Sequence, residues 1–142
     1  MRLKSHAWIV LTLLTLSSPI ASAEVVVIVN PASKQGSIGD DDIKRIFLGK
    51  VKSFPNGEAA TPVDQSEGTS ARERFYSNLI GKSEAQLKAY WSQLIFSGKG
   101  TPPKTVGNDQ ETKDWVAKNH GGIGYVDKSV ADNSVTIVGK VN

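Results

Sequence analysis

The sequence predicts a single α/β domain in which a mixed sheet is flanked by helices. Three observations lead to this fold class. A continuous β-branched run from Val25 to Val29 is typical of a strand that is buried on both faces. Amphipathic helical segments with polar capping residues follow it along the chain. Residues 122–127 and 134–141 are rich in β-branched side chains and predict two closing strands.

The first 23 residues predict an export signal rather than a part of the fold. Two basic residues precede an apolar run from Ala7 to Leu16, and the small-residue sequence Ala-Ser-Ala ends at Ala23. The run is about half of the roughly 20 residues that a membrane-spanning helix needs. We therefore expect a signal peptide at residues 1–23, a domain at residues 24–142, a periplasmic location and no membrane insertion after cleavage.

The composition limits the functions that the mature chain can have. Residues 1–23 contain two of the 17 basic residues and none of the 14 acidic ones, so the remaining 119 residues carry a net charge of +1. A nearly neutral chain without a basic stripe argues against nucleic-acid binding. The sequence has no cysteine, which excludes disulfides, thiol nucleophiles and sulfur-ligated metals.

The segment after the first strand predicts a helix, a turn and a short strand. Residues 40–50 predict a helix with three aspartates in its first turn and Gly49 at its end. The helix dipole explains these aspartates without a metal ion. Pro55-Asn56-Gly57 predicts a turn, and a short strand is expected at residues 61–63.

Two further helices are predicted in the middle of the chain. The first begins near Thr69 or Ser70 and ends at Gly81. The second begins at a capping box formed by Ser83 and Gln86. An apolar stripe with helical spacing follows this box, and we expect the whole stripe to lie in the core. The stripe comprises Leu87, Tyr90, Trp91, Leu94 and Ile95.

The last helix carries the one histidine that the mature chain keeps. Residues 97–107 predict a long loop, and residues 108–122 predict this helix with its capping residue and terminal glycines. His120 lies at the helix end, where the helix dipole favours a cation. A role in local packing therefore explains this histidine without catalysis. Neither a Gly-x-Ser-x-Gly sequence nor a phosphate-binding Walker sequence occurs. These observations argue against an enzyme.

The turn from Val63 to Phe75, with the sequence VDQSEGTSARERF, is the candidate binding site. Gly, Ser and Thr at a helix start present backbone N–H groups, hydroxyl donors and the positive end of the helix dipole. These groups bind phosphate, sulfate or carboxylate. The alternative is an ordinary helix start, in which Ser70 and Glu73 form a capping box. Local chemistry alone favours the cap.

Three motifs occur in a fixed order along the chain: IFLGK at residues 46–50, DQSEGTS at residues 64–70 and GGIGYVD at residues 121–127. In this order they resemble the periplasmic substrate-binding proteins of phosphate ABC transporters. The resemblance implies a single α/β lobe of the periplasmic-binding-protein type, with a mixed sheet flanked by helices. It also implies an exported solute-binding protein for phosphate or a similar small oxyanion, without a cofactor.

Aligned without gaps on the helix residue Phe75, the chain keeps part of the family's Arg-x-Asp-Gly-Ser-Gly-Thr phosphate loop. Thr69 keeps one hydroxyl, whereas Ala71 lacks the other, and the neutral amide of Gln65 replaces the arginine. Arg72 is expected to supply the missing charge, because a guanidinium fork suits a tetrahedral oxyanion. The ligand set that the resemblance implies is Gln65, Gly68, Thr69, Ser70, Ala71 and Arg72.

The length of the mature chain provides one lobe, whereas full-length members of the family close two lobes around the ligand. A single lobe leaves the anion half solvated, so a second chain or a permease is the expected partner. The alternative is a periplasmic interaction or accessory module that kept the lobe and lost the ligand. A hydrolase is a third alternative, but the sequence offers it no histidine-based or metal-based site.

Overall fold

In the computed structural model, which describes residues 23–142, five strands form one mixed sheet. The strands are β1 (Val25–Val29), β2 (Thr61–Gln65), β3 (Lys104–Gly107), β4 (Gly122–Asp127) and β5 (Thr136–Val141). Their order across the sheet is β3-β2-β4-β1-β5. Strand β1 runs antiparallel to β4 and β5, whereas β2 is parallel to β3 and β4.

The helices flank this sheet on both faces. They are α1 (Asp40–Phe47), α2 (Ser70–Arg74), α3 (Glu84–Phe96) and α4 (Asp109–Lys118). A π-helical turn (Phe75–Ile80) continues α2, and 3-10 turns lie at Pro31–Ser33 and Lys128–Val130. The predicted fold class, a mixed sheet flanked by helices, is confirmed.

Strand β1 is buried on both faces, as its continuous apolar sequence predicts. Val25, Val27 and Val29 belong to the larger part of the core, on the side of α1 and α3. Val26 and Ile28 belong to a smaller part, on the side of α4. Successive strand residues point to opposite faces of the sheet, so a strand between two helical layers must be apolar throughout.

Helix α4 packs closely against β4 because the strand has a glycine at the contact. A Cβ atom at Gly124 would lie 2.8 Å from Cγ2 of Thr112 and 3.2 Å from Cγ2 of Val116. Atoms at such separations repel each other, so a side chain there would push α4 away from the sheet. The absence of a side chain at Gly124 therefore allows α4 to lie close against β4.

Two expectations about these elements are wrong. The predicted loop at residues 97–107 contains strand β3, which forms a parallel pair with β2. The apolar stripe of α3 is only partly core: Leu87 and Trp91 are buried, whereas Ile95 is 54% exposed. One side of α3 therefore packs into the core, and the other presents apolar surface to solvent.

The predicted signal peptide at residues 1–23 lies outside the described residues, apart from Ala23. Within residues 23–142, none of the helices combines the length and the apolar character that crossing a bilayer requires.

Candidate functional site

The predicted turn opens into a cleft of about 370 Å³ at the ends of β2 and β4. We call it the α2–α4 cleft, because both helices begin at its wall. Residues from α2, the preceding turn, α4 and the end of β4 line it. The lining residues with polar or charged side chains are Gln65, Thr69, Ser70, Arg74, Asn108, Asp109, Asp127 and Ser129.

Helix α2 is capped by Thr69, so the expected capping box of Ser70 and Glu73 is wrong. The Oγ1 atom of Thr69 accepts a hydrogen bond from the backbone N–H of Arg72, at 3.4 Å. Gly68 has a φ angle of 94°, which a residue with a side chain rarely adopts, and this angle turns the chain into the helix. Among the described residues, the backbone N–H groups of Ser70 and Ala71 have no hydrogen-bond partner.

Helix α4 begins at the same cleft and brings a carboxylate to it. Asn108 caps the helix by accepting a hydrogen bond from the N–H of Glu111. Oδ1 of Asp109 accepts from Nε2 of Gln65 at 2.8 Å and from the N–H of Asp127 at 3.1 Å. Asp109 therefore ties the ends of β2 and β4 to the start of α4.

Gln65 lies under the cleft and is completely buried. Its Nε2 donates to Oδ1 of Asp109 and to the backbone carbonyl of Tyr125, both at 2.8 Å. Both amide hydrogens are thus used inside the protein. Its Oε1 has no partner among the described residues. Gln65, which aligns with the arginine of the phosphate loop that the sequence resembles, therefore joins β2 to β4 and to α4.

Arg72 does not line the α2–α4 cleft, which differs from the expectation that its guanidinium supplies the missing charge there. Its side chain is 12% exposed, and Nε and Nη2 donate to the two carboxylate oxygens of Glu84, at 2.6 and 3.1 Å. Nη1 lies 2.9 Å from the carbonyl oxygen of Gln65 and 3.3 Å from Oδ2 of Asp64. The guanidinium therefore connects α2 to β2 and α3.

Asp64 is the buried acceptor at the centre of this network. Tyr76 donates to its Oδ2 at 2.6 Å, and the hydroxyl of Tyr125 donates to its Oδ1. Burial raises the pKa of Asp64, although the hydrogen bonds from both tyrosines and the charge of Arg72 oppose this rise. The tyrosine rings pack around Phe75, which stacks on Tyr125 with a centroid distance of 4.1 Å.

The basic residue that does line the cleft is Arg74, which the sequence analysis did not select. It lies four residues after Ser70, and residues with this spacing share one side of a helix. Arg72 lies only two residues after Ser70, which places it on a different side. Nη1 of Arg74 donates to the backbone carbonyl of Ala23. Helical spacing from Ser70 would have identified Arg74.

Asp127 gives the cleft a second carboxylate. Hydrogen bonds from the hydroxyl and the backbone N–H of Ser129 lower its pKa, and the charge of Arg74 adds to this effect. Asp127 is therefore ionised at neutral pH. Within residues 23–142, no group of three or more His, Asp or Glu side chains is arranged to hold a metal ion.

Comparison with known proteins finds a similarity of fold to solved structures and no match of sequence. No family model matches the sequence, and no curated protein sequence matches it. The fold matches an ABC-type phosphate transport receptor from Vibrio cholerae with a TM-score of 0.66 and 16% identity. The match covers 82% of this chain and 45% of that receptor.

Two further solved structures give similar values. One is a putative phosphate ABC transporter substrate-binding protein with bound phosphate from Clostridium perfringens, with a TM-score of 0.64, 19% identity and coverage of 82% and 44%. The other is PstS from Borrelia burgdorferi, with a TM-score of 0.63, 14% identity and coverage of 82% and 47%. The chain thus has the fold of one part of each of these three proteins, and the match spans less than half of each protein's length.

Proposed function

We propose that the chain is an exported binding lobe for phosphate or a similar small oxyanion, associated with ABC-type uptake. The observation that carries this proposal is the start of α2 at the cleft, where the N–H groups of Ser70 and Ala71 have no partner among residues 23–142. Free N–H groups and the positive end of a helix attract anions. The names of the solved phosphate receptors with this fold support the same ligand class and a binding role rather than catalysis.

In this proposal the anion contacts the start of α2 directly. The N–H groups of Ser70 and Ala71 and the hydroxyls of Thr69 and Ser70 are the donors, and Gly68 shapes the turn that presents them. The hydroxyl of Thr69 can donate to an anion while its oxygen accepts from the helix.

Gln65 and Arg72 support the site in this proposal rather than contact the anion. Both amide hydrogens of Gln65 are used inside the protein, and Arg72 is paired with Glu84 and Asp64. The position of the Arg72 side chain keeps the end of β2 against the helix that carries the donors.

Arg74 is the proposed positive charge of the site. In the described structure its guanidinium is held by the carbonyl of Ala23, the last residue of the predicted signal peptide. Removal of residues 1–23 takes this carbonyl away and leaves the guanidinium free to turn towards the start of α2. The lost carbonyl is neutral, so cleavage releases the guanidinium from a competing hydrogen bond without removing any charge from the cleft.

The two carboxylates of the cleft favour an anion that carries a proton. Asp109 and Asp127 repel a fully ionised anion, but each can accept a hydrogen bond from a protonated one. Phosphate keeps a proton at neutral pH, whereas sulfate does not. We therefore propose phosphate rather than sulfate as the ligand, with a second chain covering the open side of the cleft.

The alternative function is a periplasmic accessory module that no longer binds a ligand. The position of Gln65 favours this alternative. Its amide replaces the family's arginine and is already bound to Asp109 and to the carbonyl of Tyr125. The carboxylate of Asp109 thus occupies a place where an anion would need a hydrogen-bond donor. This alternative requires that phosphate at millimolar concentration leaves the α2–α4 cleft empty.

The test is a titration of the exported protein with phosphate and, separately, with sulfate, followed by calorimetry and by amide resonances. We expect phosphate to shift the resonances of Gly68, Ser70 and Ala71 and to bind with a Kd of about 1 mM, equivalent to about 4 kcal/mol. Sulfate should bind at least about tenfold more weakly, a difference of about 1.4 kcal/mol. Unchanged resonances at millimolar phosphate would leave the accessory module as the function.

A pair of arginine variants localises the binding. Arg74→Gln should weaken phosphate binding about tenfold, the order expected for one charged hydrogen bond. Arg45→Gln is the matched control, because Arg45 is exposed on α1 and does not line the cleft. Equal losses in the two variants would indicate attraction by overall charge rather than binding at the start of α2.

A further inference from the structure

The opposite end of β2, where the strand begins, borders an apolar groove that the proposed binding role does not use. Its volume is about 320 Å³, and we call it the Trp91 groove. Apolar side chains from the end of α1, from α3, from the loop before β3 and from α4 form most of its wall. They include Phe47, Val51, Trp91, Pro102, Pro103 and Trp115.

A second hollow, of about 380 Å³, extends this groove along the end of α3. The two share Gly49, Lys52 and Thr101, and the second continues to Ile95 and Lys99. Ile95 is 54% exposed, and the adjacent Phe96 is 96% exposed. Ile95 lines this hollow, so an exposed apolar side chain borders the groove, which is typical of an interaction surface.

The charges at the rim of the groove are of one sign. Lys52 and Lys104 line the Trp91 groove, and Lys99 lines its extension. Among the described residues, no Asp or Glu lines either hollow, and none of these three lysines forms an ion pair. Glu111 and Asp114 line an adjoining hollow that shares Lys104 and Trp115, but neither pairs with Lys104. The rim lysines are therefore able to pair with carboxylates of a partner.

Strand β3 adds a backbone feature to the same surface. It lies at the edge of the sheet, and its first residue, Lys104, is at the rim of the groove. An edge strand has backbone N–H and C=O groups on one side without a neighbouring strand. An extended segment that enters the groove can pair with these groups.

We propose that the Trp91 groove docks an acidic, extended segment of a partner protein. An apolar side chain of this segment enters the groove between Trp91 and Trp115, and flanking carboxylates meet Lys52, Lys99 and Lys104. Charge complementarity selects the acidic segment. The concave apolar wall favours a peptide over a flat membrane surface, and the edge strand favours an extended conformation over a helix.

The probe is the acetylated hexapeptide Asp-Glu-Leu-Phe-Glu-Asp, which lacks tryptophan. Its binding to the exported protein is followed by tryptophan fluorescence and by the amide resonances of Gly49 and Gly100, which flank Trp91. Saturable binding is expected. A version with lysines in place of the acids, and one with alanines in place of leucine and phenylalanine, should each bind at least about tenfold more weakly.

Charge reversal at the rim tests the location. Lys52→Glu and Lys104→Glu should each weaken binding of the hexapeptide about tenfold. Lys140→Glu is the matched control, because Lys140 is exposed on β5, at the other edge of the sheet, and should change binding less than about twofold. A melting temperature equal to that of the unchanged protein shows that each variant is folded.

A second pair of variants tests the apolar contribution. Ile95→Ser, at an exposed residue that lines the extension of the groove, should weaken hexapeptide binding by about threefold or more, whereas Ile137→Ser, at an exposed apolar residue of β5, should leave it unchanged. The proposal is overturned if the basic peptide binds as well as the acidic one, or if no peptide binds. It is also overturned if concentration-dependent dimers or phosphatidylglycerol vesicles occupy the groove and the hexapeptide does not.

Discussion

The two ends of strand β2 use their side chains in opposite ways. Where the strand ends, at Asp64 and Gln65, polar groups are buried and bonded to one another. Where it begins, at Thr61 and Pro62, apolar side chains of neighbouring elements form an open groove. The usual rule places apolar groups inside and polar groups outside. Both ends of β2 depart from it, and each departure marks a region with a role beyond filling the core.

The two ends of β2 differ in how many of their polar and charged groups already have hydrogen-bond or ion-pair partners. At the polar end most side-chain donors and acceptors have partners, so the network is rigid, whereas the N–H groups of Ser70 and Ala71 at the start of α2 have none among the described residues. At the apolar end the rim lysines form no ion pair among the described residues, so their charges are available for association. The buried network should therefore control stability, and the exposed residues at the rim of the groove should hardly affect it.

The largest effect is expected from breaking the polar network. Arg72→Ala should lower the free energy of unfolding by about 3–5 kcal/mol, because it leaves the buried carboxylate of Asp64 without its cation. The family resemblance implies a ligand role for this arginine, and for an exposed ligand a loss of only about 0.5 kcal/mol would be typical.

Urea unfolding measures the cost of Arg72→Ala directly. Arg74→Ala is the control, since Arg74 lies nearby on α2 but is outside the network, and it should cost less than about 0.5 kcal/mol. Similar losses in both variants would show that the position of Arg72 in α2, rather than its pairing, determines stability.

The next largest effect distinguishes the two sides of α3. Leu87→Ala should cost about 2–5 kcal/mol, because Leu87 is 3% exposed and its truncation leaves a cavity. Phe96→Ala should cost less than about 0.5 kcal/mol, since its ring is already in water. Leu94 is partly buried and should fall between them, below the range predicted for a fully packed leucine. Thermal or urea unfolding of the three variants would reveal an opposite order if α3 were buried on its other side.

Much of the fold was predictable because it depends on local patterns. The uniform apolar sequence of β1 and the capping box at Ser83 and Gln86 each identify their element without knowledge of the rest of the chain. Strand β3 was missed because its four residues follow two prolines and show no alternation of burial. Its pairing with β2, which lies far away in sequence, makes it a strand.

The site was less predictable than the fold, because the roles of its residues depend on partners distant in sequence. Arg72 was selected for its charge, but Glu84, twelve residues later, turns it away from the cleft. Asp109 and Asp127 were overlooked because only the sheet brings their carboxylates beside Gln65. The position of Arg74, by contrast, follows from helical spacing alone.

A smaller effect locates the true cap of α2. Thr69→Ala should lower the free energy of unfolding by about 1 kcal/mol, because the N–H of Arg72 loses the oxygen that accepts its hydrogen bond. Ser70→Ala should change it by less than about 0.5 kcal/mol, since Ser70 follows the cap and is exposed. Thermal melts of the two variants decide between these positions, and a greater loss at Ser70 would restore the capping box that the sequence suggests.

The smallest expected effect is a pH dependence that arises at the edge of the polar network. Hydrogen bonds from Arg72 lower the pKa of Glu84 below its usual value of 4.5. A lowered pKa means that the unfolded chain takes up a proton first as the pH falls. The pair of Glu84 with Arg72 therefore stabilises the protein above about pH 4.5. This stabilisation is lost as the pH falls through the pKa that Glu84 has in the folded protein. Glu84→Gln removes the titrating group. The free energy of unfolding of this variant should therefore be lower than that of the unchanged protein at pH 7, and the two values should approach each other at pH 3. Glu67→Gln is the matched control, because Glu67 is exposed and its one ion-pair partner among the described residues is Lys88 on the surface. Urea unfolding at pH 7, 5 and 3 measures both variants, and parallel curves for Glu84→Gln and the unchanged protein would mean that the pair with Arg72 contributes no pH-dependent stability.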